Sequence, residues 1–178
     1  NEDRHQYLKQ HKNTPIFIVN RYLERMEGEN NIDRDNSQII YFSDKKSTKK
    51  EKYLEFQDNF EKSICDISPI SPVYIVSTIP EMGINIPPLM AKQMMTLNKI
   101  LDNSISYSQY QNRSSQMNKL LEDVAQKCNA KILAPSKILC QQGKCISEYK
   151  GRSIYRDGDH LSEYGNKLLT PMFEEVLN

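Results

Sequence analysis

Two short apolar runs, Ile16-Phe17-Ile18-Val19 and Val73-Tyr74-Ile75-Val76, constrain the fold of this chain more than any other feature. Each follows a turn-forming pair, Thr14-Pro15 in the first case and Ser71-Pro72 in the second. A strand with one wet face alternates apolar and polar residues. An unbroken apolar run is what a strand covered on both faces requires, as in a parallel sheet. Both runs end in polar or turn-forming residues, Asn20-Arg21-Tyr22 and Ser77-Thr78, at the carboxyl ends where open α/β sheets place their ligands. Lys131-Ile132-Leu133 reads as a third short strand.

Between the strands the apolar spacing changes to that of helices. Residues 1–12 read as the tail of a helix that Thr14-Pro15 ends. Ser47 or Thr48 caps a helix that buries Tyr53, Phe56, Phe60 and Ile64. Pro87-Pro88 opens another, with Met90, Met94, Leu97 and Leu101 expected in the core. Ser114 or Ser115 is expected to start the cleanest helix. Its single apolar stripe is Met117, Leu120, Leu121, Val124, Ala125 and Cys128, and Asn129 ends it. Ser162 caps a last helix with Tyr164, Leu168, Leu169, Met172, Phe173 and Val176 on one face, and Pro171 is expected to bend it. Residues 28–37 read as a polar loop and residues 38–42 as a short strand or hairpin arm. Strands alternating with helices predict an α/β fold with a mainly parallel sheet and right-handed crossovers over both faces. The 178 residues suffice for one core and not comfortably for two, so residues 1–178 are read as a single domain.

The net charge of +1 argues against a dedicated nucleic-acid binder, because no basic excess exists to release counterions. Lys45, Lys46, Lys49, Lys50 and Lys52 lie beside Glu51 and Glu55 and read as a solvated helix start. No apolar run is long enough to cross a bilayer, and the Asn1 start reads as a processing or fragment boundary. Cys140 and Cys145 enclose a glycine-containing polar loop, which suits a short disulfide in an oxidising compartment. Two free thiols are the alternative. A zinc site is the poorer reading, since no second Cys or His pair stands at ligand spacing. Cys128, on its helix stripe, and Cys65 are expected to be small core residues.

The chemistry concentrates in Asp157-x-x-His160, a turn that opens directly into the last helix. One carboxylate can accept the imidazole Nδ1–H, which leaves Nε2 free to take a proton from a nucleophile. By spacing alone, a plain capping turn would carry the same letters.

The wider block, Tyr155-x-Asp157-x-x-His160-Leu161-Ser162-x-x-Gly165 before a proline-containing apolar helix, resembles the last motif block of SGNH (GDSL-like) hydrolase domains. It looks most like the branch fused to acyltransferase-3 membrane domains, which O-acetylate bacterial surface polysaccharides. Ile79-Pro80-Glu81-Met82-Gly83, the Cys140/Cys145 loop and the Arg-aromatic pair Arg21-Tyr22 agree with it. The resemblance implies a three-layer α/β/α sandwich on the periplasmic or extracellular face, tethered to the inner membrane in the full-length protein. It implies Ser-His-Asp acyl transfer without a cofactor or metal, with a glycan acceptor and a membrane-embedded acyltransferase domain as partners. On this resemblance His160 is the general base and Asp157 orients it. Asn20 and Arg21 contact the substrate or oxyanion, and Asp159 is a solvent or backbone partner. The family begins with a strand running into Gly-Asp-Ser, which supplies the nucleophile. No such triplet occurs here, so the domain is expected to lack its first strand or strands. A stand-alone secreted carbohydrate esterase and a non-catalytic glycan-binding or assembly module are the alternatives with the same fold.

Overall fold

The apolar runs at Ile16 and Val73 lie side by side as parallel strands. In the computed structural model, which describes residues 2–27 and 48–177, the chain begins α1 (Glu2–Gln10), β1 (Ile16–Ile18), α2 (Tyr22–Glu27), α3 (Lys49–Ile67) and β2 (Val73–Val76). It proceeds through α4 (Ile86–Leu97), β3 (Ile105–Ser106), α5 (Tyr107–Lys127), β4 (Lys131–Leu133) and α6 (Ser136–Leu139). Four two-residue strands follow, β5 (Cys140–Gln141), β6 (Lys144–Cys145), β7 (Glu148–Tyr149) and β8 (Arg152–Ser153), and then α7 (Glu163–Leu168) and α8 (Thr170–Leu177). The expected loop at residues 28–37, the strand at 38–42, and Lys45 and Lys46 lie outside the described residues.

The main sheet has the order β1-β2-β4 and is wholly parallel, with Ile16 opposite Val73 and Ile75 opposite Ile132. β2 is central and buried along its whole length, as its unbroken apolar run demands. β1 departs from that expectation. Its residues are only partly buried, and Val19 lies beyond the strand and is 69% exposed. Among the described strands β1 pairs on one side only, so an apolar run identical in character is covered less.

Helices cover both faces. Ile16, Ile18, Val73 and Ile75 pack with Tyr22, Phe56, Ile64, Met117 and Leu121 from α2, α3 and α5. Phe17 points the other way, stacking on Tyr74 and meeting Phe173 of α8 edge-on. Beyond the end of β2, a second cluster joins Val76, Met82, Ile86, Met90, Ile154, Tyr155, Leu169 and Met172. This is the α/β fold with a parallel sheet, to which β3-β6-β5 and β7-β8 add small antiparallel pieces.

Local chemistry explains most boundaries and three departures. Thr48 caps α3 in a capping box with Glu51. The α7–α8 break falls just before Pro171. α5, however, begins at Tyr107 rather than near Ser114, because Ser106 and Gln109 form a capping box upstream. Ser114 lies inside the helix, its hydroxyl donating to Tyr110 O at 2.7 Å. In α4 the buried positions are Ile86, Met90 and Gln93, while Met94, Leu97 and Leu101 are 42–50% exposed and not in the core. Gln93 takes a core-facing position because its amide is bonded to Asn103 and to the Leu101 amide.

The third departure concerns Cys65 and Cys128, which form a disulfide instead of two core thiols. They lie on the facing stripes of α3 and at the end of α5, where their Cα atoms come within 4.6 Å. Cys140 and Cys145 are also joined, directly opposite each other in the β5–β6 hairpin. Gln142 and Gly143 turn that hairpin with positive φ, 51° and 79°.

Candidate active site

The Asp157/His160 turn lies between β8 and α7 and is closed at its base by a bridge from Tyr155 to Leu161. The Arg156 amide donates to His160 O at 2.8 Å. Inside the turn, Asp157 Oδ1 accepts from the amides of Asp159 (3.0 Å) and His160 (2.7 Å). Asp157 Oδ2 lies 2.7 Å from His160 Nδ1. One oxygen therefore holds the loop and the other holds the ring. Nε2 has no hydrogen-bond partner among the described residues, which is the arrangement of a base oriented through its far nitrogen.

The segment after β2 fastens this turn from outside. Met82 N–H donates to Gly158 O at 2.7 Å, and Ile86 N–H to Asp157 O at 3.3 Å. The buried Tyr155 donates its hydroxyl to Pro80 O at 2.7 Å. On the downstream side, Ser162 Oγ accepts from Gly165 N at 3.1 Å and starts α7. A Cβ on Gly165 would stand 2.0 Å from Ile154 O, so only glycine lets α7 approach the strand-side backbone this closely.

The turn forms one wall of a cleft of ≈ 630 Å³. Asn20 and Arg21 line it from the end of β1, Ser77, Thr78 and Glu81 from the end of β2, and Asn166, Leu169 and Phe173 from the last helices. His160 thus shares one cleft with Asn20 and Arg21, which lie far from it in sequence, and Asp157 stands behind the imidazole. Asn20 Oδ1 accepts from the Arg21 amide at 2.8 Å. Arg21 itself is ion-paired to Asp159, and to Glu24 at 3.0 Å.

Asp159 is therefore more than a solvent or backbone partner. Its Oδ1 lies 3.1 Å from His160 Nδ1 while its other oxygen meets Arg21. Proximity in sequence to His160 was visible, but its partner is 138 positions away and no local pattern announces it. Glu81 was also unassigned, although it follows the β2 strand in a turn-rich stretch. Its carboxylate is 7% exposed and paired with Arg113. Thr78 is anchored by Asn118 at 2.9 Å and by the Tyr110 hydroxyl at 3.1 Å.

The carboxylates titrate differently for physical reasons. Burial pushes Asp157 up, but hydrogen bonds from the Asp159 and His160 amides and from the imidazole outweigh it and bring it down to about 2. Burial raises Asp159, against the pull of Arg21. Burial likewise raises Glu81, opposed by Arg113. Asp157, Asp159 and His160 bring potential metal-ligand atoms within 4.8 Å of one another. Nδ1 and both carboxylates are already engaged by hydrogen bonds and by Arg21, so these residues are committed to one another.

Comparison with known proteins bears on the family and the fold. The model of the SGNH domain fused to AT3 domains matches residues 1–175. The periplasmic domain of the Salmonella ser. Paratyphi A lipopolysaccharide acetyltransferase is similar in structure, with a TM-score of 0.55 and 17% identity. The similarity covers 72% of this chain and 51% of that one, so this chain matches about half of its relative's length. At such identity the likeness speaks for the fold. No curated protein sequence matches the chain. None of the described helices is long and apolar enough to cross a membrane. With its family model matched over nearly the whole length, the chain belongs to the family of SGNH domains fused to AT3 domains.

Proposed function

We propose that this is the periplasmic part of an O-acyltransferase that moves acetyl groups onto a cell-surface polysaccharide. The observation that carries the reading is the 2.7 Å contact of Asp157 Oδ2 with His160 Nδ1, with Nε2 unengaged by any described residue on the wall of the cleft. The similar Salmonella domain belongs to a lipopolysaccharide acetyltransferase, which favours transfer over hydrolysis. Two disulfides suit an oxidising compartment.

In this mechanism His160 Nε2 takes the proton of a serine hydroxyl as that oxygen attacks the acetyl carbonyl. The imidazolium, held by Asp157, returns the proton to the departing group, leaving an acetyl-serine. A sugar hydroxyl then attacks, His160 takes its proton, and the serine recovers it as the sugar ester leaves. Asn20, at the end of β1, is the candidate oxyanion donor; a well-placed donor contributes about 3 kcal/mol. On this reading the nucleophile is the serine of the family's Gly-Asp-Ser triplet, which does not occur in residues 1–178. Acetyl reaches it from a membrane-embedded domain. Serine acyl transfer needs no cofactor.

The test is the O-acetyl content of surface polysaccharide in cells whose only copy of the full-length protein carries His160→Ala or Asp157→Asn. Each change is expected to cut transfer by about 10³–10⁴-fold. Wild-type acetylation in either variant would end this reading.

A further inference from the structure

Two carboxylates at one imidazole nitrogen pose an electrostatic problem. Asp157 Oδ2 and Asp159 Oδ1 stand 2.7 Å and 3.1 Å from His160 Nδ1, which has a single proton to offer. Like charges at this separation repel, and the usual relief is for one acid to bind a proton or to swing away. A protonated Asp159 would donate to Asp157 and compete with the imidazole for its oxygens. Burial of Asp159 and its side-chain contact with Asp157 both push in that direction, and Arg21 opposes them. The groups around it are few: Arg21 on its outer oxygen, Glu24 on the far side of Arg21, Glu81 within electrostatic reach, and Arg156 Nε 3.7 Å from Asp157. Of these, the Arg21 guanidinium alone is a cation paired directly with Asp159.

Arg21 also comes from a different element. It follows β1, whereas Asp157, Asp159 and His160 belong to the turn before α7. The ion pair is thus a tie between the strand end and the base-bearing loop, one that spans 138 positions in sequence.

We propose that Arg21 is a positioning residue that acts through Asp159. Their ion pair holds the outer oxygen of Asp159, opposes its protonation beside Asp157, reserves the Asp157 carboxylate for His160 Nδ1, and sets the imidazole against the end of β1. This rests on the reading of His160 as the base. It gives Arg21 a role other than touching the substrate or oxyanion, for which its guanidinium is already engaged by Asp159 and Glu24.

The test is nitrogen-resolved NMR of the His160 ring in this domain, with no acyl donor present. In the wild type the ring should show one tautomer, protonated at Nδ1. Arg21→Gln and Asp159→Asn should each lose that single signature and show a mixed or exchange-broadened ring, while Arg21→Lys retains it. An unchanged His160 ring in folded Arg21→Gln would overturn the proposal. If Arg21→Gln does not fold, Asp159→Asn decides: a wild-type ring there overturns it, and a mixed ring supports it. In the full-length protein the same pair should lower kcat about tenfold or more with little change in KM. An effect confined to KM would place Arg21 on the substrate and overturn the positioning role. A wild-type protein without transfer activity would end the functional reading and leave the ring measurement standing.

Discussion

Asp157 is the residue on which the site's electrostatics turn. Its carboxyl is held at about 2, below its ordinary 3.8, because amide and imidazole hydrogen bonds outweigh the burial that opposes them. A carboxyl lowered on folding contributes stability that is present above its unfolded value and lost as the pH falls through its folded one. Asp159 and Glu81, both raised by burial, act in the opposite sense and offset part of the loss. Urea unfolding of the wild type should therefore show stability falling between about pH 4 and pH 2, and Asp157→Asn should flatten that fall. Equal slopes in the two proteins would contradict the assignment. At this scale, spacing brought Asp157 and His160 together as candidates because both lie in one turn. Asp159's bond to Arg21 stayed hidden, since a contact 138 positions long leaves no trace in local pattern.

At the scale of elements, two disulfides and one close glycine contact tie the fold together. Cys65–Cys128 joins α3 to the end of α5 across 63 positions. Cys140–Cys145 closes only the short β5–β6 hairpin, five positions apart. The longer loop restricts the unfolded chain more, by about 4 kcal/mol against about 2 for the hairpin. Paired serine replacements at Cys65 and Cys128 should thus lower unfolding free energy about twice as much as the same change at Cys140 and Cys145. A reversed order would show that the hairpin does more than close a loop. Gly165→Ala forces a Cβ toward Ile154 O and should cost roughly 3 kcal/mol, with the Asp157/His160 amides losing their exchange protection first. Ordinary stability with unchanged protection would refute the tight approach. Periodicity announced α3, the stripe of α5 and the strands β1, β2 and β4. It failed at the start of α5, where a capping box at Ser106 outranked serines inside the helix. It also failed at α4, because a run of methionines does not say which of its faces is covered. The two-residue strands are too short to carry any period.

For the whole molecule, the parallel sheet brings the ends of β1 and β2 to one side, and the turn before α7 folds over them to close the cleft. The fold class was legible because apolar runs alternate with helical spacing, and the run at Val73 is buried along its whole length as a central parallel strand must be. The cleft was not, because it depends on strand order and on which loops meet. On the proposed function, Asp157 and His160 are the base half of a serine acyl-transfer site, and His160 activates a serine in the intact protein. Labelling the full-length protein with a serine-reactive phosphonate and locating the adduct by mass spectrometry tests this directly. One serine should be labelled in the wild type, in a Gly-Asp-Ser context, and the label should vanish in His160→Ala. An unlabelled wild type, or a label that survives His160→Ala, would contradict it.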